Sequence, residues 1–136
     1  MKLELTDNAL KSVNGGSLGV NTNDQWQFQH GSFTRGYVKA GAADYGTSGA
    51  HITKAQFNGI VGLNSSAAAR HVYLPDAATT AGQELRIQDE GGAAATHNIT
   101  VVPFGSQTIN GASTLVISTN YGAATVYSDG ANLFSK

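Results

Sequence analysis

The chain has no cysteine, only two prolines, one tryptophan and one methionine among its 136 residues. Without cysteine there is no disulfide to hold the fold, and no thiolate to act as a nucleophile or bind zinc. That is compatible with assembly in a reducing cytoplasm. Charge is scarce as well. Lys, Arg, Asp and Glu make up 12% of the residues, about half the share of an ordinary soluble domain. The formal net charge is −1, and Lys2, Lys11, Arg35, Lys39, Lys54, Arg70 and Arg86 are scattered along the chain. This pattern gives neither a basic field for nucleic acid nor a polybasic run for a membrane surface. Met1-Lys2-Leu3-Glu4-Leu5 does not read as a signal peptide. No window approaches the roughly 18 apolar residues of a membrane span. Asn64-Ser65-Ser66 and Asn98-Ile99-Thr100 match the glycosylation sequon, and without a secretory signal both read as chance.

Small residues fill the space that charge leaves: Gly, Ala, Ser, Thr and Asn dominate. They suit tight turns, short strands and close packing, and they supply few general acids, bases or phosphate clamps. The expectation is a non-enzymatic protein with no cofactor and no metal. Two textures divide the chain. Residues 1–36 are polar and rich in Gly, Asn and Gln, and read as an N-terminal arm. Within the arm, Thr6 to Val13 reads as one or two helical turns capped by Thr6 and stopped by Asn14-Gly15, Gly15-Gly16 and Gly19 break regular structure, and Gln25 to His30 alternates as a strand. Residues 37–136 read as a β-domain. Ile60–Leu63, His71–Leu74, Leu85–Gln88, Ile99–Val102, Thr114–Ser118, Ala124–Tyr127 and Leu133-Phe134 are strand candidates separated by turn signals. Asn110-Gly111 is a hairpin signal, because both residues tolerate positive φ. Thr53 to Phe57 is the one helical turn expected here. The spacing predicts an all-β fold: a small β-sandwich or jelly-roll-like barrel. Leu74, Leu85, Ile87, Ile99, Val101, Leu115, Ile117, Val126 and Phe134 are its expected core.

Few patterns carry chemistry. Gly15-Gly16-Ser17-Leu18-Gly19 matches the nucleophile-elbow pattern. That chemistry needs an apolar strand before the serine and a helix after it, and neither is present. His30, His51, His71 and His97 show no metal-ligand spacing. Asp89, Glu90 and Asp129 could serve as an acid pair if held about 5–10 Å apart. Their contexts, Asp-Glu-Gly-Gly and Ser-Asp-Gly-Ala, read as turn chemistry instead.

Residues 60–134 resemble a β-module of tailed-phage structural proteins. The resemblance begins with Ile60-Val61-Gly62-Leu63-Asn64 and Tyr73-Leu74-Pro75-Asp76-Ala77. It continues through Ala81-Gly82, Leu85-Arg86-Ile87-Gln88-Asp89-Glu90-Gly91-Gly92, Asn98-Ile99-Thr100-Val101 and Pro103-Phe104-Gly105. Its most specific parts are Ile109-Asn110-Gly111-Ala112, Thr119-Asn120-Tyr121-Gly122 and Tyr127-Ser128-Asp129-Gly130-Ala131-Asn132-Leu133-Phe134. Leu133 stands where the module usually has Trp, and residues 1–36 carry none of the resemblance.

The resemblance implies a homotrimer on a virion, made in the host cytoplasm. A short arm plus one β-domain suits a capsid decoration, or cement, protein on the outer surface of the head. Its partners would then be itself and the phage major capsid protein, with no nucleic acid and no membrane. The alternative is a tail fibre or tail spike module that recognises a host glycan or protein. That reading favours exposed aromatics at Tyr37, Tyr45 and Tyr121, whereas decoration favours apolar contacts on the arm. Leu3, Leu5, Leu10, Val13, Trp26 and Phe28 are the attachment candidates there.

Overall fold

The computed structural model describes residues 17–20, 26–29 and 36–136. By contacts the chain divides into two compact units, Met1–Thr34 and Arg35–Lys136. In the first, β1 (Ser17–Val20) pairs antiparallel with β2 (Trp26–Gln29). The alternating stretch around Trp26 is therefore a strand. Gly19, expected to break regular structure, lies inside β1. The helical turn expected at Thr6 to Val13 falls outside the described residues.

The second unit is all-β, with no α-helix among the described residues. One mixed sheet has the order β10-β9-β6-β4-β3 and another the order β5-β7-β8. The first is formed by β3 (Gly36–Gly41), β4 (Gly59–Leu63), β6 (Glu84–Asp89), β9 (Ala123–Ser128) and β10 (Leu133–Ser135). The second is formed by β5 (Arg70–Tyr73), β7 (Ile99–Val102) and β8 (Leu115–Ile117). Neither sheet closes on itself. From β4 to β7 the chain alternates between the sheets, so strands two apart become parallel neighbours: β4 with β6, and β5 with β7. β3 adds a further parallel strand beside β4, and a parallel bridge from Tyr45 to Val72 does the same for β5. The body thus winds as a flattened coil, which antiparallel β8, β9 and β10 terminate.

The register stacks apolar residues into rows. Val38, Val61, Ile87 and Ala124 lie side by side across the large sheet. Tyr45, Val72, Val101 and Leu115 do so across the small one. Buried residues of both sheets join one core with Ile52, Phe57, Leu74, Ile109 and Leu133. Each large apolar side chain fully buried there contributes about 1.5–3 kcal/mol.

Seven of the nine expected core residues are buried. Leu115 and Phe134 are only half-buried. Pairing explains Phe134: Leu133, opposite Ser128, takes the inward position, and alternation turns Phe134 outward onto the Tyr127 ring at 5.5 Å. Thr53 to Phe57 forms the expected turn, in which Thr53 N–H donates to Gln56 Oε1 at 2.7 Å and Phe57 is buried. Asn110 and Gly111, at φ 52° and 83°, make a tight turn whose Ile109 and Ala112 exchange backbone hydrogen bonds.

Candidate functional site

Strand β6 alternates inward at Leu85, Ile87 and Asp89. The apolar phase therefore carries a carboxylate into the interior, where Asp89 is 1% exposed. A buried charge is tolerated only when fully hydrogen-bonded, and five donors meet it. Oδ1 accepts from Ser65 Oγ at 2.7 Å, Gly91 N–H at 3.0 Å and Gly92 N–H at 3.1 Å. Oδ2 accepts from Ala94 N–H and Tyr121 N–H, both at 3.1 Å. One side chain thereby ties together the end of β6, the segment after β4, the loop 91–94 and the turn before β9. Burial alone would raise the Asp89 pKa. The hydrogen bonds from Ser65, Ala94, Tyr121 and Gly91 outweigh it and hold the carboxyl below the ordinary Asp range.

This hub fixes Tyr121. The residue sits at φ 57°, a left-handed conformation that costs a non-glycine residue about 1–3 kcal/mol. Asp89 takes its N–H, and its carbonyl accepts from Gln88 Nε2 at 2.8 Å. Its ring lies against Gly92, where a Cβ would come within 2.2 Å of Tyr121 Cζ. Gly92 is itself at φ 68°, so only glycine suits that position. Even so, Tyr121 is 69% exposed.

The next residue along, Glu90, faces the other way. Its carboxylate lies over Gly62, where a Cβ would meet Glu90 Cδ at 2.3 Å. Tyr37 Oη donates to both carboxylate oxygens, at 2.8 and 2.9 Å, and so latches end strand β3 to the same turn. That bond, followed by burial and the charge of Glu90, raises the Tyr37 phenol pKa. Asp89 and Glu90 thus serve separate structural roles and do not face one common point.

Of the three tyrosines expected to be exposed, Tyr37, on strand β3, and Tyr121 are exposed and meet the Asp89–Gly92 turn from two sides. Tyr45 is a correction. It is buried, because its backbone pairs with His71 and Tyr73 and draws the ring into the core. Asp129 behaves as an ordinary turn residue: it accepts from Ala131 and Asn132 N–H at 2.8 and 2.6 Å, which hold its carboxyl below the usual range.

His51, His71 and His97 are spread over the body, and His30 lies outside the described residues. Nδ1 of His51 donates to the Leu74 carbonyl at 2.6 Å, and Nδ1 of His97 to the Ser65 carbonyl at 2.9 Å. His71 lies 3.6 Å from Asp44. No three His, Asp or Glu side chains form a metal cluster among the described residues. A groove of about 550 Å³ is lined by Gln83, Glu84, Tyr127 and Lys136, among others, and one of about 310 Å³ runs along β8. Neither includes Tyr37 or Tyr121.

Of the attachment candidates on the arm, Leu3, Leu5, Leu10 and Val13 lie outside the described residues. Trp26 and Phe28 occupy alternate positions of β2, opposite Val20 and Leu18. The body does not contain them. The hub at Asp89 was not anticipated, although a signal was present: Asp89 continues the inward phase of Leu85 and Ile87. In comparisons with known proteins, no family model matches the chain and no curated protein is detectably similar to it.

Proposed function

We propose that the chain is a virion structural protein, a capsid decoration protein that binds the outside of a phage head as a homotrimer and clamps neighbouring capsid subunits. One observation carries this reading. The residues through which the chain resembles the phage module are spent on architecture. Asp89, Gly91, Gly92 and Tyr121 build the hub. Asn110 bonds Ser135 through both ends of its amide. Ser128 Oγ donates to the Ala77 carbonyl, and Asp129 closes its own turn. A carboxylate as buried and as fully bonded as Asp89 is unsuited to shuttling protons, which supports a scaffold over an acid–base enzyme.

Association is supported by the sheet ends. β3 and β8 are terminal strands with exposed apolar residues, Val38 at 41% and Val116 at 47%. Neighbouring copies that covered them would complete a jelly-roll-like body. Light scattering at micromolar concentration is expected to give three chains per particle; a monomer would count against the trimer.

The second reading, a tail fibre or spike module, draws on the exposure of Tyr37 and Tyr121. Quantitative mass spectrometry of purified particles separates the two. Hundreds of copies per particle support decoration, a handful support the tail, and absence from the particle refutes both.

A further inference from the structure

We propose that Asn58 is a site of spontaneous covalent modification, where the chain converts its own asparagine to aspartate and iso-aspartate, and that the fold withholds the same chemistry from Asn110. The inference goes beyond the decoration reading and does not depend on it.

The reaction belongs to the pair Asn-Gly. The glycine nitrogen attacks Cγ of the preceding asparagine and a C–N bond forms. The Cγ–Nδ2 bond breaks, and Nδ2 leaves as ammonia with the proton of the glycine amide. Water then opens the resulting succinimide at either carbonyl, which gives aspartate or iso-aspartate. Glycine favours the first step because no Cβ shields its nitrogen and its backbone turns readily. The side-chain amide must also be able to swing toward the main chain.

Three such pairs occur: Asn14-Gly15, Asn58-Gly59 and Asn110-Gly111. The first lies outside the described residues. Asn58 and Asn110 are both exposed, and they differ in what holds the amide. Asn110 Nδ2 donates to Ser135 Oγ at 2.7 Å, and its Oδ1 accepts from Ser135 N–H at 3.1 Å. Attack on its Cγ would break both bonds, inside a turn that Ile109 and Ala112 close with two more. The Asn58 side chain makes no hydrogen bond to any described residue. It stands at a bend just before β4 and lines a groove with Gln83, Glu84 and Lys136, so water reaches it.

The fold also keeps the reactive pair in place. Gly59 has φ 150°, and a Cβ there would fall 2.2 Å from the Gly36 carbonyl oxygen of β3. No other residue suits the position. Gly59 is the first residue of β4, so the attack disturbs the end of a ladder and not its middle. Each conversion puts a carboxylate in place of a neutral amide in the groove. The iso-aspartate route adds a methylene to the main chain immediately before β4.

The test incubates the full chain at mildly alkaline pH, folded and, in parallel, unfolded in denaturant. Peptide mapping by mass spectrometry follows each asparagine, and enzymatic methylation counts iso-aspartate. In denaturant, Asn58 and Asn110 are expected to convert at similar rates. In the folded chain Asn58 should convert about tenfold or more faster than Asn110, whose two hydrogen bonds must break first. Ser135→Ala should raise the Asn110 rate, and Asn58→Gln should remove the early product. Equal rates at the two residues in the folded chain overturn the proposal. So does an Asn58 that persists as long as Asn110, or an Asn110 rate that Ser135→Ala leaves unchanged.

Discussion

The turns that begin at Asp89 and Asp129 look alike in sequence, Asp-Glu-Gly-Gly and Asp-Gly-Ala-Asn, and they differ in what they hold. Asp129 stands in solvent and organises only the two amides that follow it. Asp89 is buried, and its five hydrogen bonds join segments distant in sequence. An exposed carboxylate competes with water for every hydrogen bond it makes. A buried one cannot be hydrated, so each donor around it matters to the whole fold. The difference shows that the same turn chemistry can be local punctuation in one place and the junction of a domain in another.

The largest effect is expected from removing the junction. Asp89→Ala strands Ser65 Oγ and the Ala94 N–H in the interior and takes the acceptor from three part-buried amides, those of Gly91, Gly92 and Tyr121. Denaturant unfolding should show a loss of about 3–5 kcal/mol. A loss near that of an ordinary surface change would reduce Asp89 to the rank of Asp129.

Acid should sharpen the comparison next. Asp89, Asp76 and Asp129 all have carboxyls held below the ordinary range, Asp76 chiefly by the Ala78 N–H and Gln107. In each case the unfolded chain, with a pKa of about 3.9, binds the proton more readily than the folded one. Their stabilisation is therefore complete above the unfolded value and is lost as pH falls through it toward the folded values. Stability measured from pH 6 down to pH 2 should be flat at first and then fall. Asp89→Asn should start less stable and fall less steeply; an unchanged slope would deny Asp89 its share.

A smaller effect is expected at Gly92. Gly92→Ala forces a Cβ into the Tyr121 ring and strains φ 68°, at a cost of about 1–3 kcal/mol. The Tyr121 ring signals in NMR spectra should shift more than those of Tyr127. The smallest belongs to Asp129→Ala, with a melting temperature lowered by no more than about 3 °C. A larger fall would mean that the Asp129 turn also acts beyond itself.

Much of the body was legible in the sequence. The strand candidates of residues 37–136 all form, because alternation and turn residues act locally. The winding of the chain between two sheets was not, since parallel partners such as Val61 and Ile87 are joined only through a strand of the other sheet. Spacing of strands carries no record of which ones become neighbours. Phe134 and Leu133 exchange places for the same reason, as phase is set by the partner strand. At the candidate site, the turn at Asp89 could be read and its depth could not. Asp89 is both the last inward position of β6 and the first residue of a turn, and a carboxylate suggests the second role until its donors are seen. Four of those donors are backbone amides, which no side-chain pattern records.

Hydrogen exchange at those amides tests the central claim most directly. The account predicts that the N–H groups of Gly91, Gly92, Ala94 and Tyr121 exchange slowly in wild type, at rates close to those of β6. It also predicts that all four lose protection together in Asp89→Asn, while Ala131 and Asn132 are unaffected. Fast exchange at Tyr121 in the wild-type protein, or protection that survives the substitution, would contradict it.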